Sequence, residues 1–141
     1  MHRTLFSLFL LAIVISCSQK EKKNVSETIK YPNQDAPLAL LMREMFVDME
    51  GIKVSVEEGK SIKLYLEKHK EILTAKPTDA NVKSETFQSM GMAYLASLKE
   101  LENSKKEELL DNYQLLVNSC LACHNNFCPG PVKRINLLKI D

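Results

Sequence analysis

The sequence predicts an all-α fold, an antiparallel up-and-down four-helix bundle. Three observations carry this expectation. Apolar residues recur at spacings of three and four along four segments of comparable length. Runs of alternating polarity, the mark of a half-buried strand, are few, and 141 residues hold only four glycines and no tryptophan. Capping and helix-stopping residues fall between the periodic segments, which leaves only short connections.

The chain opens with a basic start, Met1-His2-Arg3, and an apolar run from Leu5 to Ile15 broken only by Ser7. That run is too short for a permanent membrane span and reads as a signal peptide over residues 1–16. Its end, Leu11-Ala12-Ile13-Val14-Ile15-Ser16-Cys17, resembles the lipobox of bacterial lipoproteins, whose cysteine is lipidated and becomes the mature N-terminus. Cys17 is thus the expected lipid anchor and the contact with the membrane. The alternative is a plain secretory signal that leaves Cys17 a free thiol. Either way the protein is expected outside the cytoplasm, on the periplasmic side, and Ser18 after the cysteine favours the outer membrane by proteobacterial sorting rules.

Arg3 is the only charge in the signal, so the mature chain carries 18 Lys and Arg against 18 Asp and Glu. No basic patch argues for nucleic acid and no acidic tail for a cationic partner. Residues 17–36 are polar and lysine-rich, contain Pro32-Asn33 and lack periodicity, so they read as a flexible tether. Residues 37–141 suffice for one core and form the expected domain.

Within it, Asp35 is well suited to an N-cap, and a seam of Leu38, Met42, Met45, Met49, Ile52 and Val56 marks a first helix ending near Gly59. A second helix carries Ile62, Leu66, His69 and Leu73 and stops before Pro77; Phe87, Met90, Tyr94, Leu98 and Leu101 place the third. Ser104-Lys105-Lys106-Glu107 has the pattern of a capping box and opens the fourth. Its seam runs Leu109, Tyr113, Val117, Cys120, His124, Phe127, and residues 129–141 follow as a tail.

Residues 118–128, Asn-Ser-Cys-Leu-Ala-Cys-His-Asn-Asn-Phe-Cys, gather three of the four cysteines. Helical spacing puts Cys120, Cys123 and His124 on one face, directed into the bundle. Cys-x-x-Cys-His is the attachment pattern of c-type haem: the thiols add to the two vinyl groups as thioethers and the histidine takes the iron. Other readings compete. A thioredoxin-like pair normally opens a helix in a βαβ setting, whereas this one ends a helix of an α protein. Zinc could use Cys120, Cys123, His124 and Cys128, but zinc frameworks usually draw ligand pairs from separated segments and no second pair exists. One covalent haem c is the expected cofactor, with His124 as proximal ligand. Cys128 is then the odd cysteine, read as a small residue beside the haem edge in preference to a disulfide or redox thiol. His69 reads as a satisfied core residue, since a lone histidine on an apolar face seldom ligates.

For the distal side the first helix offers Met42, Met45 and Met49. Antiparallel packing sets the start of that helix opposite the end of the fourth, which favours Met42, with Met45 as the alternative; Met49 lies about 10 Å further along. A stripe of flexible core filler is the plainer reading of the three.

A four-helix bundle with Leu41-Met42-Arg43 on its first helix and Cys120-Leu121-Ala122-Cys123-His124-Asn125-Asn126-Phe127 on its last resembles the cytochrome c′ family, including low-spin methionine-ligated relatives, over residues 37–128. The resemblance implies a proximal His124, a distal face on the first helix with the ligating methionine early along it, and a possible homodimer. It departs where the family commonly has a basic residue after the aromatic, for here Cys128 follows, and Lys133 or Arg134 would have to stand in. Electron transfer with an unidentified redox partner is the expected function; binding or sensing of small gases such as NO or CO at an open distal face is the alternative. A haem-free structural lipoprotein is the third possibility. No Ser-His-Asp set, paired carboxylates or phosphate-cradling glycine loop is found, so no enzymatic activity is expected.

Overall fold

The computed structural model describes residues 36–140, and these are all-α. Helix α1 spans Pro37–Glu57. Proline at its start needs no N–H partner. The next amide, Leu38 N–H, donates to the Lys76 carbonyl at 3.0 Å, an orphan donor met from another segment. Leu38, Leu41, Met45, Met49, Ile52 and Val56 are buried, while Met42 is half-buried against their margin. The expected N-cap Asp35 lies outside the described residues, and so does Cys17. Gly59 ends the element at φ +61°, where a side chain would be strained, and its amide returns to the Val56 carbonyl at 3.0 Å.

The second helix is shorter than its apolar spacing predicts. Only Leu66–His69 is α-helical, as α2, continued by a 3₁₀ turn over Lys70–Leu73; Ile62 precedes it in irregular chain. The boundary is set from a distance. Glu102 Oε1 accepts from the amides of Tyr65 at 2.6 Å and Leu66 at 2.9 Å, so the free N–H groups sit where that carboxylate can reach. At the other end Lys83 Nζ donates to the carbonyls of Ile72 at 2.9 Å and Leu73 at 2.8 Å.

Helix α3, Glu85–Glu102, begins at Ser84, whose hydroxyl accepts from Phe87 N–H at 3.2 Å. It buries Phe87, Gly91, Tyr94, Leu98 and Leu101. Gly91 is where α3 meets the second segment: a Cβ there would lie 2.9 Å from Leu73 Cδ2. Helix α4 is Leu109–Phe127, entered through a 3₁₀ turn at Lys106–Glu108. The expected capping box slips by one residue. Glu108 reaches back to the Lys105 amide at 3.2 Å, while Ser104 Oγ donates to the Glu100 carbonyl and accepts from Asn112 Nδ2. α3 and α4 make the most extensive helix–helix contact; they run antiparallel, the ring of Phe87 at the start of one meeting that of Phe127 at the end of the other, 5.6 Å between centroids.

The segment after α4 is part of the core. Pro129 and Pro131 break the helix, then α5, Val132–Ile135, and a 3₁₀ turn at Asn136–Leu138 bury Ile135 and Leu138. Tyr113 Oη donates to the Leu138 carbonyl at 2.7 Å, and Lys53 Nζ to the carbonyls of Leu137 at 3.1 Å and Lys139 at 2.8 Å. Tyr113→Phe deletes the buried donor and strands the carbonyl, so it should cost about 1–3 kcal/mol. Urea unfolding would register the loss, and protease cleavage after residue 130 should become faster; an unchanged midpoint would mean the segment is held by Ile135 and Leu138 alone.

Candidate haem site

Helix α4 presents Cys120, Cys123 and His124 together because the residues one and two turns earlier leave no freedom of rotation. Tyr113 and Leu116 are 0% exposed and Val117 1%, which fixes the azimuth of the helix against α3. Cys120, Cys123 and His124 follow on the same side, each half-buried at the edge of the core, and no disulfide joins the thiols.

The histidine is anchored by the main chain. His124 Nδ1 lies 3.0 Å from the carbonyl oxygen of Cys128. A carbonyl only accepts, so Nδ1 carries the proton and, in the neutral ring, the lone pair is left on Nε2. That is the tautomer a metal-ligating histidine needs, with the partner that most often fixes ring orientation. The bond is reciprocated, since Cys128 N–H donates to the His124 carbonyl at 3.1 Å. The sequence draws attention to the Cys128 thiol, yet the thiol is exposed and the useful atom is the carbonyl. Pro129 is the signal that could have found it: the residue before a proline is driven out of the α region, and Cys128 sits at φ −152°, ψ 80°.

The zinc reading needs Cys128 to join the other three side chains. Among the described residues no group of three or more His, Cys, Asp and Glu is arranged to hold a metal ion. Two unpaired thiols three residues apart and an imidazole offering Nε2 are a donor set that a covalent haem could use.

On the distal side Met45 and Met49 are built into the core at 6% and 2% exposure, and Met42 alone of the three stays half-buried. α1 packs on α4, and Met42 lies against the margin of the core these helices share. One turn on, the Phe46 ring lies under the Arg134 guanidinium at 4.1 Å, so the segment after α4 closes over α1 here.

His69 is fully buried and both ring nitrogens are engaged, Nδ1 with Tyr94 Oη at 2.8 Å and Nε2 with Asp48 Oδ2 at 3.0 Å. It has no nitrogen free for iron. Burial holds it below the usual histidine range, against the opposing pull of Asp48. Burial raises the Asp48 carboxyl, but hydrogen bonds from Lys68 and His69 outweigh it and keep the group ionised.

Burial also pushes the Cys120 thiol up to about 12 and raises that of Cys123. The thiolate is the reactive form, so in the folded, haem-free chain burial disfavours reaction at Cys120. Iodoacetamide should alkylate exposed Cys128 first, Cys123 later and Cys120 slowest, with all three alike in urea; peptide mass mapping over time would show the order. Equal rates in the folded chain would contradict the packing of α4.

Comparison with known proteins finds no family model, curated protein or solved structure that matches this chain.

Proposed function

We propose that this chain is a mono-haem c-type cytochrome of cytochrome c′ type, an antiparallel up-and-down four-helix bundle that carries electrons outside the cytoplasm while anchored by lipid on Cys17. The observation that carries the reading is the His124 Nδ1 bond to the Cys128 carbonyl beside two free thiols on the same helical face. Haem c, when bound, supplies a one-electron iron couple. The chain's own residues do the rest. Cys120 and Cys123 tether the group through thioethers, and His124 holds the iron through Nε2. The apolar core around Tyr113, Leu116 and Val117 keeps water from one side. Met42 would supply a second donor to the iron; histidine and thioether together would raise the potential and spare the site any exchange of ligands as it accepts and gives up an electron. Gas binding is the competing function of the same proximal side and differs only in whether Met42 reaches the iron.

Protein made with haem-maturation machinery should keep its colour through denaturation and acid–acetone extraction; colourless protein, or one zinc per chain, would overturn the reading. Reduced wild type should be low-spin and resist CO, and Met42→Ala should become high-spin and CO-reactive with the haem still attached. A wild type that already binds CO moves the function to gases, and a spectrum unchanged in Met42→Ala moves the ligand to Met45. Cys17→Ala should release the protein from membranes into the soluble periplasmic fraction.

A further inference from the structure

We propose that the buried Tyr94–His69–Asp48 chain takes up one proton when the site takes up one electron, so that the potential of the protein depends on pH. The proposal rests on the haem reading above and adds a function for residues that reading does not use.

Among the described residues His69 is the one polar or charged side chain buried with the hydrophobic core, at 0% exposure. Its partners form a line through the molecule. Tyr94 Oη lies 2.8 Å from Nδ1, Asp48 Oδ2 lies 3.0 Å from Nε2, and Lys68 Nζ bridges Asp48 at 2.7 Å to Glu44 at 3.1 Å on the surface. The rings of Tyr65 and Tyr94 lie near-parallel to the imidazole, with centroids at 5.7 Å and 5.9 Å. The inner end lies in the same core as the site: Tyr94 belongs to α3, the helix packed on α4, and Cys120 packs against the cluster that holds Tyr94.

The groups facing His69 are Asp48 from α1, Lys68 and Tyr65 from its own segment, and Tyr94 and Glu102 from α3, and Cys120 of α4 packs against the same core. Asp48 is ionised and accepts from Nε2–H. Nδ1 of the neutral ring therefore accepts from the Tyr94 hydroxyl, and an imidazolium would leave Asp48 in place and turn that hydroxyl from donor to acceptor. The chain has two hydrogen-bonded states that differ by one proton.

Haem held by Cys120, Cys123 and His124 would, on accepting one electron from the redox partner, place one more negative charge at the edge of the low-dielectric core. One proton from solvent on Nδ1 restores the balance, and on reoxidation both leave. Reduction raises the proton affinity of His69, so the potential falls with rising pH between the imidazole's pKa in the oxidised protein and its higher value in the reduced one. Because burial holds the ring below its ordinary value of 6.5, that window opens on the acid side of neutrality.

The test is a potentiometric titration of the haem-loaded protein from acid to neutral pH, with the His69 ring protons followed by NMR in both oxidation states. The potential should fall with pH in wild type and be flat in His69→Gln, and the His69 pKa should be higher in the reduced protein. If His69→Gln does not fold, Tyr94→Phe, which removes the acceptor for Nδ1–H, should shift the window to lower pH. A flat wild-type potential, equal His69 pKa values in the two states, or a slope that survives in His69→Gln and so belongs to the haem carboxylates, would overturn the proposal with the haem reading intact. A chain that takes no covalent haem overturns both.

Discussion

The rotation of α4 about its own axis is the constraint on which the rest depends. A helix carrying a five-residue chemical signature delivers it wherever its buried side chains point it, and the burial of Tyr113, Leu116 and Val117, on a helix packed against α3, permits one setting. From that setting Cys120, Cys123 and His124 emerge at the core's edge and not in solvent or at its centre. The T-shaped pair of Phe87 and Phe127 holds the last turn in the same register, so the signature is framed by fixed contacts above and below.

A second theme is that backbone ends are satisfied by side chains far away in sequence. Glu102 caps α2, Lys83 closes the turn that follows it, and Lys53 gathers the carbonyls of Leu137 and Lys139. Each couples elements that share few residues in sequence, and each binds a charged group to several backbone partners, the stronger class of hydrogen bond. The short second helix persists through these contacts, since a piece of that length has little stability of its own.

Much of this was legible in the sequence, and what was not has a common cause. The first, third and fourth helices follow from local periodicity, and Met45, Met49, Ile52 and Val56 are buried as their spacing requires. Leu41, Gly91 and Leu116 escaped a strict seam because a helix packed by several neighbours buries a broader stripe than one heptad line. The start of α2 could not be read locally, for its cap is a carboxylate 36 and 37 residues away. The segment after Pro131 looked like a tail because it is too short for periodicity, yet Ile135 and Leu138 complete the core. At the site, the spacing of Cys120, Cys123 and His124 was plain, whereas the carbonyl that orients the imidazole is main chain and leaves no letter in the sequence.

A main-chain anchor changes how the site tolerates substitution. The partner of His124 Nδ1 is the carbonyl of residue 128, an atom every amino acid possesses, so the anchor is indifferent to which side chain stands there. What it needs is the turn out of the helix, and that is enforced one residue later by Pro129. Position 128 is therefore free to drift, or to hold an exposed thiol for some separate use, while the information that keeps the imidazole in place is stored at a neighbour that never touches it.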